Sequence, residues 1–189
     1  MGKQLWVLAG GNGSGKSTFY NTRLKSKGII FVNADLIAKD KFPEGTIEAS
    51  KKAQTEAQRL CLEYLDRGIP FCFETVFSHR SKIELIQKAK DSNFAVNLVY
   101  IHLASEDLNV ARVLQRVANG GHPVPEEKIR SKIPRTHENM KTAIKIVDYA
   151  FILDNSDSAN PFKVICKKVK DIIEFPDGDM PEWAIEIIQ

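Results

Sequence analysis

The sequence predicts an α/β domain in three layers, with helices flanking a central, mainly parallel sheet. Three observations carry that expectation. Short apolar runs of strand composition recur along the chain, separated by stretches of helical period. The first run, Leu5 to Ala9, leads straight into the glycine-rich octet Gly10-Gly11-Asn12-Gly13-Ser14-Gly15-Lys16-Ser17, and helix-competent residues follow it. No repeat, low-complexity tract or linker interrupts the 189 residues, so one domain over 1–189 is expected.

In chain order, strands are expected at 4–10, 29–33, 70–75, 95–103 and 148–153, with a further one within 162–169. Helices are expected near 16–26, 46–67, 80–91, 105–118, 126–147 and 181–188. The segment Thr46 to Arg67 sets Ala49, Ala53, Ala57, Leu60 and Tyr64 at helical spacing, a stripe that faces a core and needs no chemistry. Pro134 interrupts the last long pattern, which predicts a kink or two short helices there.

The octet fits G-x-x-x-x-G-K-[ST], with Gly10, Gly15, Lys16 and Ser17 in register. Glycines let the backbone turn tightly and aim successive N–H groups at one point, and the positive end of the next helix favours an anion there. Lys16 would reach β- and γ-phosphates, and the Ser17 hydroxyl would take a Mg²⁺ position. A glycine-rich turn before an ordinary helix is the bland alternative. The full match in a strand–loop–helix setting argues for a nucleoside triphosphate site, and the fold class becomes a P-loop NTPase.

Ligands gather beyond the carboxyl ends of strands in an open parallel sheet. Asp35 follows the second strand and lies on that edge; it reads equally as a first-turn residue helping a helix dipole. Glu74 closes the third, otherwise apolar strand, where such folds hold Mg²⁺ through water or grip a substrate; emergence into solvent is the alternative. His102, in the fourth strand, reads as a packed core residue. Arg112 and Arg116 share a helical face, and Gly120-Gly121 before Pro123 and Pro125 suggest a hinge feeding a lid around 119–136. Lys128, Lys132 and Arg135 fall on one helical side with Arg130 adjoining; on composition alone, solvated surface explains them better. Asn155, after the fifth strand, would border a nucleobase.

Composition bounds the rest. Hydrophobic content of 43% and charged content of 27% are ordinary for a globular protein, and a net charge of +3 is too mild for a nucleic-acid or membrane partner. Cys61, Cys72 and Cys166 lack C-x-x-C spacing and read as small buried residues in a reducing compartment. The first strand begins within a few residues of the N-terminus, and no apolar run approaches a membrane span, so a cytoplasmic protein is expected.

The Gly10–Thr18 loop, Asn33-Ala34-Asp35 and Phe73-Glu74-Thr75-Val76-Phe77-Ser78 together resemble the zeta-toxin family of P-loop kinases, specifically its shorter members. Arg112-Val113, Arg116-Val117, Gly120-Gly121-His122-Pro123-Val124-Pro125, Ile129 to Asn139 and Asp154-Asn155-Ser156 extend the likeness over roughly residues 5–156. The G-G-H-x-V-P segment after a paired R-V is its most specific part. The resemblance implies ATP- and Mg²⁺-dependent phosphorylation of a hydroxyl, in zeta toxins the sugar hydroxyl of a UDP-N-acetyl amino sugar such as UDP-N-acetylglucosamine. It implies Asp35 as general base, Gly10 to Thr18 with Asn155 on the nucleotide, and Glu74 and Thr75 at the acceptor. It further implies Arg116, Arg130 and Arg135 closing over the phosphates, and an antitoxin protein as partner. Two departures stand out. Arg130-Ser131-Lys132 replaces successive arginines, and Ile133-Pro134 stands where an aromatic and a polar residue are usual; Lys lacks the planar fork of Arg.

Two functions from different classes fit these residues. One is a kinase acting on a small-molecule hydroxyl; the other is a nucleotide-controlled switch with slow hydrolysis and a protein partner. Only the kinase needs a carboxylate on the acceptor side, where Asp35 is placed.

Overall fold

The computed structural model describes residues 2–176 and 180–188. Its sheet has seven strands in the order β2-β3-β1-β4-β5-β6-β7. They are β1 (Gln4–Ala9), β2 (Ile30–Asn33), β3 (Phe71–Thr75), β4 (Ala95–His102), β5 (Tyr149–Asp154), β6 (Lys163–Val169) and β7 (Ile172–Glu174). The first five are parallel, and β6 and β7 close one edge antiparallel. The expected strands are all present within a residue or so. β7 was not anticipated: three residues, each exposed, carry no burial pattern to read.

The helices are α1 (Lys16–Phe19), α2 (Ala34–Lys41), α3 (Ile47–Asp66), α4 (Ser81–Asp91), α5 (Glu106–Ala118), α6 (Glu126–Arg130), α7 (Ile133–Ile146) and α8 (Glu182–Ile188). Short polar side chains start three of them: Asn33, Thr46 and Ser105 accept from the N–H three residues on. Pro134 sits in the first turn of α7, where its missing N–H costs nothing, so the expected break falls between α6 and α7. The helix expected over 16–26 is regular for four residues only. It widens into a π turn over Tyr20–Leu24 and then a 3₁₀ turn over Lys25–Lys27. Tyr20 opens that π turn; its ring stacks on Phe31 at 3.9 Å and its hydroxyl donates to the Ile29 carbonyl at 2.8 Å.

The core lies on both faces of the sheet. On one face α3, α4, α7 and α8 cover residues such as Leu5, Phe71, Phe73, Leu98 and Ile152; on the other, Tyr20, Leu24 and Ile29 pack on Leu8, Cys72 and Val99. Each fully buried Leu or Phe contributes about 1.5–3 kcal/mol relative to exposure. Lys168 of β6 reaches the end of α7, where its amine donates to the Ile144 and Val147 carbonyls at 2.6 and 3.0 Å. It thus satisfies acceptors that the last helical turn leaves open. All three cysteines are free and buried, as their apolar settings implied. Among the described residues no helix is long and apolar enough to cross a membrane.

Candidate active site

The phosphate loop connects β1 to α1 at the carboxyl edge of the sheet. Gly10 has φ +145°, and a Cβ there would lie 2.3 Å from the Ile101 carbonyl oxygen of β4. Gly15, at φ +100°, leaves a Cβ only 2.5 Å from Asn155 Nδ2. Glycine is demanded at both by conformation and by close approach.

Lys16 is 6% exposed, and its amine donates to the Gly10 and Gly11 carbonyls at 2.9 Å each. It also stands 4.0 Å from Glu74 Oε1. Burial pushes this amine below its ordinary pKa; the charges of Glu74 and then Asp35 draw it back up, while Arg116 and Lys132 press it down. Those five side chains therefore share one electrostatic neighbourhood. Ser17 Oγ donates to Glu74 Oε2 at 2.7 Å, joining the two oxygens expected near a metal position.

Strand register places the carboxylates. Ala9 of β1 pairs with Thr75 of β3, and Asn33 of β2 pairs with Glu74. Asn33 ends β2 and caps α2, which sets Asp35 in the first turn of that helix, exposed, one strand outward from Glu74. Two strand spacings, roughly 10 Å, separate it from the loop strand.

The turn after Glu74 is strained and braced. Phe77 is fully buried with φ +68°, a conformation that costs a non-glycine residue about 1–3 kcal/mol. Thr75 Oγ1 accepts from the Phe77 N–H at 3.0 Å. From α7, Thr136 donates to the Val76 carbonyl and Asn139 to the Phe77 carbonyl, both at 2.9 Å. Thr75, expected among the substrate-binding residues, thus shapes this turn.

Two asparagines hold the loop from outside. Asn109 of α5 donates to the Asn12 carbonyl at 2.6 Å, and Asn155 donates to the Ser14 carbonyl at 2.8 Å. Asn155 Oδ1 also accepts from Phe162 N–H at 3.2 Å, so both ends of the amide expected beside a nucleobase are spent on backbone. Nothing in the sequence marked Asn109, one polar residue within an amphipathic helix.

The lid residues divide. Gly120 (φ +82°) turns the chain out of α5, and Gly121 N–H returns to the Arg116 carbonyl at 2.9 Å. Arg116 donates to the His122 carbonyl at 2.7 Å while its Nε is buried without a partner. Arg130 is held elsewhere: Asp107 at 2.6 Å, Glu126 at 2.8 Å and Glu106 at 3.6 Å surround it. Arg135 is exposed and donates to the Ser131 carbonyl at 3.1 Å. Lys132, absent from the expected set, shares charge interactions with Lys16 and Asp35. Burial lowers its pKa, Lys128 and Arg135 add to that, and Asp35 opposes it.

A parallel sheet carrying this loop, with carboxylates on the neighbouring strand ends, defines a P-loop domain of kinase-like fold. A family model described as an AAA domain matches residues 5–136, well over half of the chain, and the chain belongs to that family. An uncharacterized protein from Haemophilus influenzae is 32% identical over 135 residues, covering 68% of this chain and 96% of its own. Among solved structures, the AvrRxo1-ORF1:-ORF2 complex with ATP aligns with TM-score 0.73 at 16% identity, over 93% of this chain and 61% of that one. The PezAT chromosomal toxin-antitoxin system of Streptococcus pneumoniae aligns with TM-score 0.62 at 18% identity, over 80% and 68%. At such identities these two likenesses show the fold. The present chain spans about three fifths of the first. The resemblance to zeta-toxin-like P-loop kinases read from the motifs agrees with this fold.

Proposed function

We propose that this protein transfers the γ-phosphoryl group of ATP to a hydroxyl of a small-molecule acceptor. The observation that carries this is the placement of Asp35: an exposed carboxylate, across β3 from the phosphate loop and felt by the buried Lys16 amine. A switch needs the loop; only a transferase also needs a base facing an acceptor. The backbone N–H groups of Gly10 to Thr18 would cradle the phosphates, and Lys16 would exchange its two carbonyl partners for phosphate oxygens. Asp35 would orient the acceptor hydroxyl and take its proton as the oxygen attacks phosphorus and the bond to the β-phosphate oxygen breaks. Arg116 and Lys132 would stabilise charge on the transferred group, with Arg130 and Arg135 joining when the lid closes.

The Ser17 hydroxyl and the Glu74 carboxylate are hard oxygen donors already in contact, a set that fits Mg²⁺, with Glu74 acting through water. When bound, the ion neutralises phosphate charge. A nucleotide sugar such as UDP-N-acetylglucosamine is the first acceptor to try, on the zeta-toxin resemblance. The toxin-antitoxin likeness makes an antitoxin the protein partner to seek, with the reaction in the cytoplasm.

One observation favours the slower switch: Arg130 is tied to three carboxylates away from Lys16. Incubating the protein with Mg·ATP and a metabolite extract separates the readings. The kinase yields a new phosphorylated species by mass spectrometry and an ATP turnover that rises with extract. Turnover that ignores both the extract and UDP-N-acetylglucosamine would establish the switch instead.

A further inference from the structure

A cavity of about 250 Å³ opens beside the phosphate loop at the end of β4, and the reaction described above makes no use of it. Gly11 and Asn109 form its loop side; Tyr100, His102, His137 and Trp183 wall the other. We infer that this cavity is a second ligand site, taking an uncharged planar heteroaromatic ring about the size of a nucleobase.

The wall is aromatic and ordered. His102 stacks on Trp183 with centroids 3.9 Å apart and planes at 22°, and His137 lies 5.4 Å from His102 and edge-on to Tyr100 at 6.0 Å. Such rings receive another ring by offset stacking or by edge contact. The wall is also neutral. Burial drives the His102 imidazole down to about 4 and lowers that of His137, so near neutral pH neither offers a cation to an anionic ligand. Glu106 is the charged side chain among the lining residues, and Arg130 balances it at 3.6 Å. His137 Nε2 is buried with no hydrogen-bond partner, which is unusual in a folded protein, and a ring N–H would satisfy it.

Strand order separates this cavity from the acceptor position. β1 and β3 intervene between the ends of β4 and β2, so three strand spacings, roughly 14 Å, lie between the cavity and Asp35. It is separate from the acceptor site yet coupled to the loop, because Asn109 lines it and also holds the Asn12 carbonyl. His137 and Trp183 fall beyond residues 5–136, so the C-terminal part of this chain completes the pocket outside the matched family region. None of this depends on the phosphotransfer reading.

The test uses fluorescence of Trp183 in a Trp6→Phe background, where it is the one remaining tryptophan. Adenine, uracil, nicotinamide and indole are titrated in turn into the full-length chain. At least one should give a saturable change with Kd below about 1 mM. Ile133→Phe and Ala104→Leu, which fill the cavity from two sides, should each weaken that binding about tenfold or more. Circular dichroism checks that both fold, and either one suffices. Lys16→Ala should leave ring binding within about twofold while removing nucleotide binding. The inference is overturned if no probe saturates. It is equally overturned if cavity filling changes nothing, or if Lys16→Ala and added ATP abolish ring binding together, since the cavity would then be the nucleotide's own base seat.

Discussion

The phosphate loop and the segment proposed as a lid both carry cations, and these are held in opposite ways. Lys16 is 6% exposed, fixed by two backbone carbonyls, and the loop around it is braced by Asn109 and Asn155. Arg130 keeps 37% of its side chain exposed and is restrained by carboxylates at the start of α5 and on its own helix. The loop charge is built in during folding. The charge on the proposed lid lies at the surface and would have to change partners to act. Preorganised charge stabilises a transition state without reorganising, whereas a closing segment spends part of its interaction on the movement.

The strongest test of this contrast is Lys16→Ala, which should reduce transfer to background and remove Mg·ATP binding in calorimetry. Its circular dichroism should stay native, and an unchanged ATP affinity would end the contrast at its first member. Asp35→Asn comes next. Loss of a placed base should slow transfer by about 10²–10⁴-fold, with ATP affinity held within a few-fold. Equal losses in binding and rate would move Asp35 from the acceptor to the nucleotide.

The lid residues should then grade by their present nearness to Lys16. Arg116→Ala should slow transfer about a hundredfold, equivalent to roughly 2.7 kcal/mol of transition-state stabilisation. Lys132→Ala should cost about tenfold and Arg130→Ala less, with melting temperatures barely moved. A loss for Arg130→Ala as large as for Arg116→Ala would mean that the lid closes fully and that the stored charge is the working one. The smallest effect is expected of Asp107→Asn. Releasing one exposed ion partner of Arg130 should alter the rate no more than a few-fold, and added salt should erase the difference between variant and parent.

What the sequence disclosed and what it hid follow one physical division. The octet was legible because cradling phosphates restricts composition: Gly10 and Gly15 meet neighbours within 2.5 Å of any Cβ. Asp35 and Glu74 were placed at the carboxyl edge of the sheet as a polar residue just beyond one apolar strand and another near the end of the next. The break at Pro134 was visible in ring chemistry alone. The partners of Arg130 were not, because they depend on α5 and α6 meeting in space, which no local pattern records. Asn155 was placed at the right edge, and only the fold shows that its amide also meets the Ser14 carbonyl and the Phe162 N–H. Lys132 was set aside as an inferior arginine, and only packing shows that its charge and that of Asp35 reach one another. His102 read as a core residue and is one, at 8% exposure, but its stacking on Trp183 joins residues 81 positions apart.

The three cysteines carry a practical consequence. Burial raises the Cys61 thiol to about 12 and Cys166 to about 11, and Cys72 is raised further with Glu74 contributing. Thiolate is the species that alkylating reagents consume, so the native protein should resist them almost completely at neutral pH. Labelling must therefore wait for opening. Cys72 lies in β3, two residues before Glu74, and Cys166 in the antiparallel edge strand β6. Alkylation followed cysteine by cysteine becomes a clock for local against global unfolding, and nucleotide should slow Cys72 more than Cys166 if ligand tightens the central strands first.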